Sequence, residues 1–283
     1  TRRSSDLHLV ADGWSLRVLL TELWALYGAF STGQPSPLAQ LPVQYADYVR
    51  WQRDWLQGER LTGQIEYWRR QLAGAPEVLE LPLDRPRPTR PSFRAAGVAV
   101  RLSFDSSRRL RALAHAEGAT SFMVLLAALQ ALLFRHSGQT DVCVGTPIAG
   151  RSHDQVEGLI GFFVNTLVLR AQPAAGMRFR ELLRQVIRTT LDAYAHQDVP
   201  FEKLVEILSP ARSLSRTPLF QVMFALDTFA PPNLQVPGLK ASLIDLELGG
   251  MQFDLVLFLS EREGCYEGQL QYATDLFDKQ TAE

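Results

Sequence analysis

The stretch LHLVADGWS, Leu7 to Ser15, carries the reading on which the rest of the fold depends. Apolar LHLV has the composition of a buried strand end, and Asp12-Gly13 is a turn pair that closes it. After the turn the period changes: Leu16, Leu19, Leu20, Leu23, Tyr27 and Phe30 recur at three- and four-residue steps. That spacing predicts a helix over about Ser15–Phe30 with those side chains on one face. His8 is therefore expected at a strand end, just before a turn into a helix. A base needs an orienting group, and Asp12 is near enough in sequence to fix either the ring or the turn. Gly13 admits close backbone approach of a substrate. Its amide, or that of Trp14, stands ahead of a helix N-terminus, where developing negative charge is favoured. A lone histidine beside a turn is more often structural, so the spacing alone leaves both readings open.

Further along, Ser31–Pro42 is a loop by composition, and two helices follow over about Val43–Gln57 and Arg60–Leu72, the second stopped by Gly74 and Pro76. Leu81–Arg94 holds four prolines and four arginines and reads as a solvated, extended connector between lobes. The expected division is thus residues 1–80, a connector over 81–94, and residues 95–283. A strand is expected near Val98–Phe104, then a helix capped by Asp105 or Ser106 that ends at Gly118. Thr120 caps another helix to about His136, and VCVGTPI is a strand. FFVNTLVLR, Phe162–Arg170, has the aromatic and β-branched content of a central strand. A helix over Phe179–Ala195 leads to HQDVPFEKLVEIL, where Pro200 suits a first helical turn. LFQVMFAL, ASLIDLEL, FDLVLFLS and GQLQYAT read as four more strands. Helices and strands without strict βαβ order point to an α+β two-layer sandwich.

The totals exclude several classes. The 283 residues carry 29 basic and 30 acidic side chains, a net charge of -1, which argues against broad capture of nucleic acid or anionic lipid. Cys143 and Cys265 lack metal-ligand spacing and read as buried thiols in a reducing cytoplasm. The apolar run Phe122–Phe134 is too short for a bilayer and carries Gln130, so it reads as a buried helix. TRRSSD has no apolar signal-peptide core, and Thr1 suggests a processed or cut piece, cytoplasmic by default. There is no phosphate-binding glycine loop, zinc pattern, Gly-x-Ser-x-Gly elbow or dinucleotide fingerprint. His196 and Asp198 form a His-x-Asp pair best read as helix-end and turn capping. His115, His136 and His153 have no nameable partner, and Asp245 with Glu247 fits a sheet edge.

Taken in order, the motifs resemble the condensation domains of nonribosomal peptide synthetases. HLVADGWS looks like the second half of their HHxxxDG signature. YADYVRW (Tyr45–Trp51), VGTPIAGR (Val144–Arg151), IGFFVNT (Ile160–Thr166), HQDVPFE (His196–Glu202) and SRTPLFQVMF (Ser215–Phe224) resemble the later signatures, and ATDLFD the C-terminal stretch. The resemblance implies a two-lobed fold of the chloramphenicol acetyltransferase type, mostly its C-terminal lobe plus the end of the N-terminal lobe, with a tunnel between lobes. It implies an acyltransferase that joins a donor acyl or peptidyl thioester to the amine of an acceptor aminoacyl thioester. His8 would position or deprotonate that amine, Asp12 would organise the turn, and Gly13 would set an amide near the oxyanion.

Implied partners are upstream donor and downstream acceptor peptidyl carrier domains, an adenylation domain and the missing N-terminal lobe. No cofactor is bound by the chain itself, since the phosphopantetheine rides on the carriers. The chain is expected to be monomeric and to serve secondary metabolism such as antibiotic biosynthesis. Cyclisation domains carry aspartate at the place of His8, and epimerisation domains differ at IGFFVNT, so an L-donor subtype fits best. Leu7 stands where the first signature histidine would be, either native or a cloning scar, and the family's long N-terminal region is absent. The fragment alone is expected to be inactive. Two alternatives are a degenerate docking or gating module and an acyltransferase that uses acyl-CoA.

Overall fold

The computed structural model describes residues 10–208, 215–227, 235–236, 239–240 and 250–283. The chain divides into two compact units. One lies within Thr1–Arg60, Ala149–Asn165 and Phe229–Leu248; the other comprises Leu61–Ile148, Thr166–Thr228 and Gly249–Glu283. The expected strand at Leu7–Val10 falls outside the described residues except Val10, which is in a turn. The expected strand ASLIDLEL, with Asp245 and Glu247, also lies outside them.

In the first unit, α1 (Gly13–Ser31) begins where the Asp12-Gly13 turn ends, because the extended Asp12 backbone lets its carboxylate cap the Ser15 amide. The apolar stripe forms as the three- and four-residue spacing requires. It is nevertheless exposed: Leu23 is 51% and Phe30 59% accessible, and Ser15 is the helix's buried residue. Next comes α2 (Tyr45–Trp55), whose N-cap amide on Gln44 donates to Asp47 Oδ2 at 2.9 Å. A small core of Val156, Leu159 and Phe163 packs with Val43, Tyr45 and Tyr48. A short antiparallel pair, β5 (Gln235–Val236) with β6 (Leu239–Lys240), belongs to the same unit.

Most of the second unit is a sheet covered by helices. Its helices are the greater part of α3 (Gly58–Leu72), then α4 (Phe104–Ala116), α5 (Ser121–Ser137), α6 (Phe179–Ala195), α7 (Phe201–Leu208) and α8 (Lys279–Ala282). Its strands are β1 (Ala95–Arg101), β2 (Val142–Ile148), β3 (Asn165–Ala171), β4 (Val222–Asp227), β7 (Leu255–Arg262) and β8 (Cys265–Ala273). They lie in the order β1-β8-β7-β4-β2-β3. β1 and β7 run antiparallel to β8, whereas β4 is parallel to both β7 and β2. The β7–β8 hairpin turns on Glu263-Gly264, both with positive φ (50° and 77°), the twist a two-residue loop needs. Mixed sheet and helices agree with the α+β class.

The apolar run Phe122–Phe134 is the core of α5. Leu126, Leu129 and Leu133 pack in one cluster with Val142, Leu167, Leu183, Phe224 and Tyr266. Burial inside protein thus accounts for its hydropathy. Among the described residues no single helix is long and apolar enough to cross a membrane. Both cysteines are free and buried; burial first, then the Asp141 charge, pushes the Cys143 thiol up to about 12.

Three expectations are corrected. The cap of α4 is Ser103, which accepts from Ser106 N at 3.1 Å, because β1 ends at Arg101 rather than Phe104; Asp105 instead pairs with Arg108 and Arg109. FFVNTLVLR is not a central strand. β3 starts at Asn165 and stands at the end of the strand order, although Leu167, Val168 and Leu169 are buried. Arginines of the 81–94 connector are not all solvated. Arg87 and Asp254 form a two-pronged ion pair with side chains 12% and 7% exposed, and the Asp84 amide donates to Leu276 O at 2.9 Å. The whole connector lies inside the second unit, whose boundary with the first falls at Arg60-Leu61.

Candidate functional site

Asp12 is the hub of the first unit. Its Oδ1 accepts from Ser15 N at 2.8 Å, which fixes the turn into α1. Its Oδ2 accepts from Phe163 N at 2.9 Å and Val164 N at 3.2 Å, so one carboxylate ties the turn to a loop some 150 residues later. Arg151 completes the lock. Its Nη2 lies 3.4 Å from Asp12 Oδ1 and donates to Ser15 Oγ at 2.8 Å, while Nη1 donates to Leu159 O at 2.9 Å. Ser15 Oγ in turn donates to Gly161 O at 2.7 Å and accepts from Gly161 N at 3.0 Å.

Aromatic rings close the lock from outside. The Arg151 guanidinium sits 3.9 Å from the Phe163 ring centroid, and Tyr45 and Tyr48 pack on the same ring. Tyr45 OH donates to Phe162 O at 2.8 Å, and Trp14 Nε1 to Glu157 O at 2.8 Å. Two glycines are obligatory here. A Cβ on Gly150, already at φ +64°, would meet Phe163 O at 1.9 Å, and one on Gly161 would meet the Tyr45 ring at 2.3 Å.

The side chains of Asp12 and Arg151 are 5% and 1% exposed. Burial acts to raise the Asp12 carboxyl. The amides of Ser15 and Phe163, the Ser15 hydroxyl and the Arg151 charge outweigh it and hold the group below its ordinary value of 3.8. A carboxyl depressed in the fold adds stability that is complete above its unfolded value and disappears as pH falls through the folded one. Thermal melting should therefore show no Asp12-dependent change above about pH 5 and should lose stability below about pH 4. Asp12→Asn, followed by melting curves across that range, should abolish this acid limb.

Of the residues singled out in sequence, Asp12 caps the Ser15 amide at the start of α1. His8 lies outside the described residues. Gly13 is the first residue of α1, and a Cβ there would meet no described atom within 4 Å. Among the described residues neither crowding nor positive φ requires glycine at this position, in contrast to Gly150 and Gly161. Gly13→Ala should leave melting unchanged or raise it by up to about 1 kcal/mol of stability, since alanine restricts the unfolded chain.

The other signatures have structural work. His196 ends α6, with Nδ1 2.7 Å from Asp192 O and its ring stacked on Tyr67 at 3.9 Å. Asp198 is held by Gln64, whose Oε1 accepts from Asp198 N at 3.0 Å. Gln221 of SRTPLFQVMF accepts from Leu79 N at 2.8 Å and donates to Glu77 O at 3.1 Å. Sequence reasoning missed Arg151, Ser15 and Gly161 as partners of Asp12. The one signal was their presence in motifs quoted separately. Among the described residues no three His, Cys, Asp or Glu side chains are grouped to hold a metal.

Comparison with known proteins adds five matches. The profile of the family described as "Condensation domain" matches residues 7–283. Malpinin synthetase of Mortierella alpina is 47% identical over 276 residues, 98% of this chain but 4% of the relative. A linear gramicidin synthase of Brevibacillus parabrevis is 46% identical, over 97% of this chain and 5% of the relative. The X-domain from teicoplanin biosynthesis superposes with a TM-score of 0.88 at 36% identity, covering 97% of this chain and 64% of that one. The same X-domain is known in a complex with OxyB, at 35% identity and a TM-score of 0.87 over 97% of this chain and 62% of that one. The chain therefore spans a small part of the synthetases and under two thirds of the solved domain.

Proposed function

The chain belongs to the condensation-domain family, and on that premise we propose that it is part of a synthetase domain that joins two carrier-bound thioesters through an amide bond. The acceptor aminoacyl amine attacks the donor carbonyl. A C–N bond forms, the C–S bond to the donor arm breaks, and the proton released by the amine ends on the departing thiol. His8 positions or deprotonates the amine. The Gly13 amide, at the N-terminus of α1, faces the developing oxyanion. Asp12 touches neither; with Arg151 and Ser15 it holds the turn that presents both. The pantetheine arms arrive with the carriers as substrate.

The observation that carries this reading is the lock itself: the residues flanking His8 in the matched signature are fastened by a buried carboxylate to the loops of two later signatures. DGWS, VGTPIAGR and GFFVNTLVLR support an L-configured donor. The exposed stripe of α1, Leu16 to Phe30, is assigned to cover by a preceding lobe of the parent protein. Partners on this reading are donor and acceptor carrier domains and an adenylation domain, in the cytoplasm.

The test supplies the parent protein with donor acyl groups on its carrier and, separately, on coenzyme A. Amide on the acceptor arm is expected from the carrier-borne donor alone; equal use of acyl-CoA would overturn the carrier reading. Gly13→Ala keeps the amide but sets a Cβ where the reacting groups must come close to the backbone, so in the same assay it should lower amide formation about tenfold or more without loss of fold. A second reading, a docking module that does not condense, is favoured by Leu7 at the first signature position and by likeness to a domain known in complex with OxyB. It predicts no amide from either donor.

A further inference from the structure

β1 ends the strand order, and its ladder with β8 runs without a gap from Ala95↔Ala273 to Arg101↔Glu267. The register fixes which way its backbone points. Leu102 N donates to Tyr266 O at 2.8 Å and Arg94 O accepts from Thr274 N at 3.1 Å, so even-numbered residues exchange their bonds with β8. Ala95, Gly97, Ala99 and Arg101 therefore aim their N–H and C=O groups away from the sheet. Among the described residues no hydrogen bond reaches those backbone groups.

Such an edge is a template for another strand, and proteins usually blunt it with proline, lysine or a bulge. β1 has none of these: its sequence is AAGVAVR, and every residue has one partner in β8. Its one charge, Arg101, stands at the end of the strand, 3.5 Å from Glu267 of its own sheet. Two bulky rings flank the edge in the open. Phe93, just before β1, is 48% exposed, and Phe104, just after it, is 60% exposed.

We propose that this edge pairs with the same edge of a second copy, antiparallel about a two-fold axis at Val98. That centre pairs the whole of both strands. Ala95 meets Arg101 and Gly97 meets Ala99, all of them residues whose backbone groups point outward, so each pair can exchange N–H···O bonds. Arg101 falls opposite Ala95, and no like charges face each other. Val98 meets Val98, which carries the core row that contains it across the axis. The same register brings Phe104 of each copy beside Phe93 of the other and covers both rings. The contact is isologous and closes on itself, so it gives a dimer and no larger assembly. One strand edge and four half-exposed rings fall below the roughly 1,200 Å² of a standard interface, which predicts a Kd of about 10–100 µM. At lower concentration the chain is monomeric.

Sedimentation velocity of the chain from about 1 µM to about 500 µM tests this, with hydrogen exchange at both ends of the range. A dimer should appear as concentration rises. The amides of Gly97 and Ala99 should exchange freely in dilute solution and about tenfold or more slowly in concentrated solution, whereas those of Val98 and Val100 stay protected in both. Ala99→Pro removes an outward donor and leaves the β8 ladder intact, so it should stay monomeric with unchanged melting. Phe104→Ser should weaken the dimer about tenfold or more. Leu23→Ser, on the exposed stripe of α1, should leave it unchanged. A chain that is monomeric at the highest concentration would overturn the proposal. So would a dimer that persists unweakened in a folded Ala99→Pro or Phe104→Ser protein, or one that Leu23→Ser abolishes. Equal protection of Gly97 and Ala99 at every concentration would also overturn it, by placing another segment of the same chain on the edge. Should Ala99→Pro fail to fold, the exchange pattern and Phe104→Ser decide.

Discussion

In a parent protein carrying His8→Ala, amide formation is expected to fall about 10²–10⁴-fold while both carriers load normally. The size follows from the proposed role. A positioned base relieves the amine of its proton as the C–N bond forms, and what remains without it is the juxtaposition of two tethered substrates. His8→Gln separates proton transfer from positioning. Glutamine can hold an amine by hydrogen bonding yet takes up no proton, so it should recover little activity if the imidazole is a base and much of it if the ring only orients. Loading of both arms, followed by intact mass, guards against a trivial loss. A His8→Ala protein within about twofold of the native rate would remove His8 from the chemistry.

Asp12→Ala is expected to act through stability. It leaves Arg151 charged with its side chain 1% exposed, uncaps the Ser15 amide, and strands the amides of Phe163 and Val164. Removing one partner of a buried ion pair costs about 3–5 kcal/mol, and a lost N-cap about 1 kcal/mol more. Against a typical total of about 5–15 kcal/mol, that is enough to melt the first unit near ambient temperature. Urea unfolding of the single variants Asp12→Ala and Arg151→Met and of the double variant checks this. The double variant should be clearly less destabilised than the sum of the singles, because the second substitution removes the charge that the first left unpaired. Additive losses would mean that the pair is not the origin of the lock.

These two residues show how much of the molecule can be seen in the sequence. Local features were legible. The three- and four-residue spacing gave α1, Thr120 is the cap of α5 as its position suggested, and the apolar run Phe122–Phe134 is a buried helix. His196 and Asp198 serve a helix end and a turn, as a His-x-Asp pair at that place should.

What escaped was non-local. Asp12 meets Arg151 and Phe163 across 139 and 151 positions, and no periodicity encodes such a pairing. The Arg87–Asp254 pair, 167 positions apart, was hidden in a proline-rich segment whose composition says solvent. Exposure of the α1 stripe was equally invisible, since spacing tells which side chains share a face and not what covers it. The glycines divide likewise. Gly150 and Gly161 are fixed by contacts with Phe163 and Tyr45, which only the folded chain reveals, whereas Gly13 is left without a packing reason among the described residues.

The most direct measurement is a single-turnover experiment on the parent protein, with an acyl donor on one carrier and an aminoacyl acceptor on the other, both followed by intact mass. The account predicts that the acceptor carrier gains the mass of the donor acyl group as the donor carrier loses it, in equal amounts. Loss from the donor with no gain on the acceptor, or no change on either carrier, would contradict it.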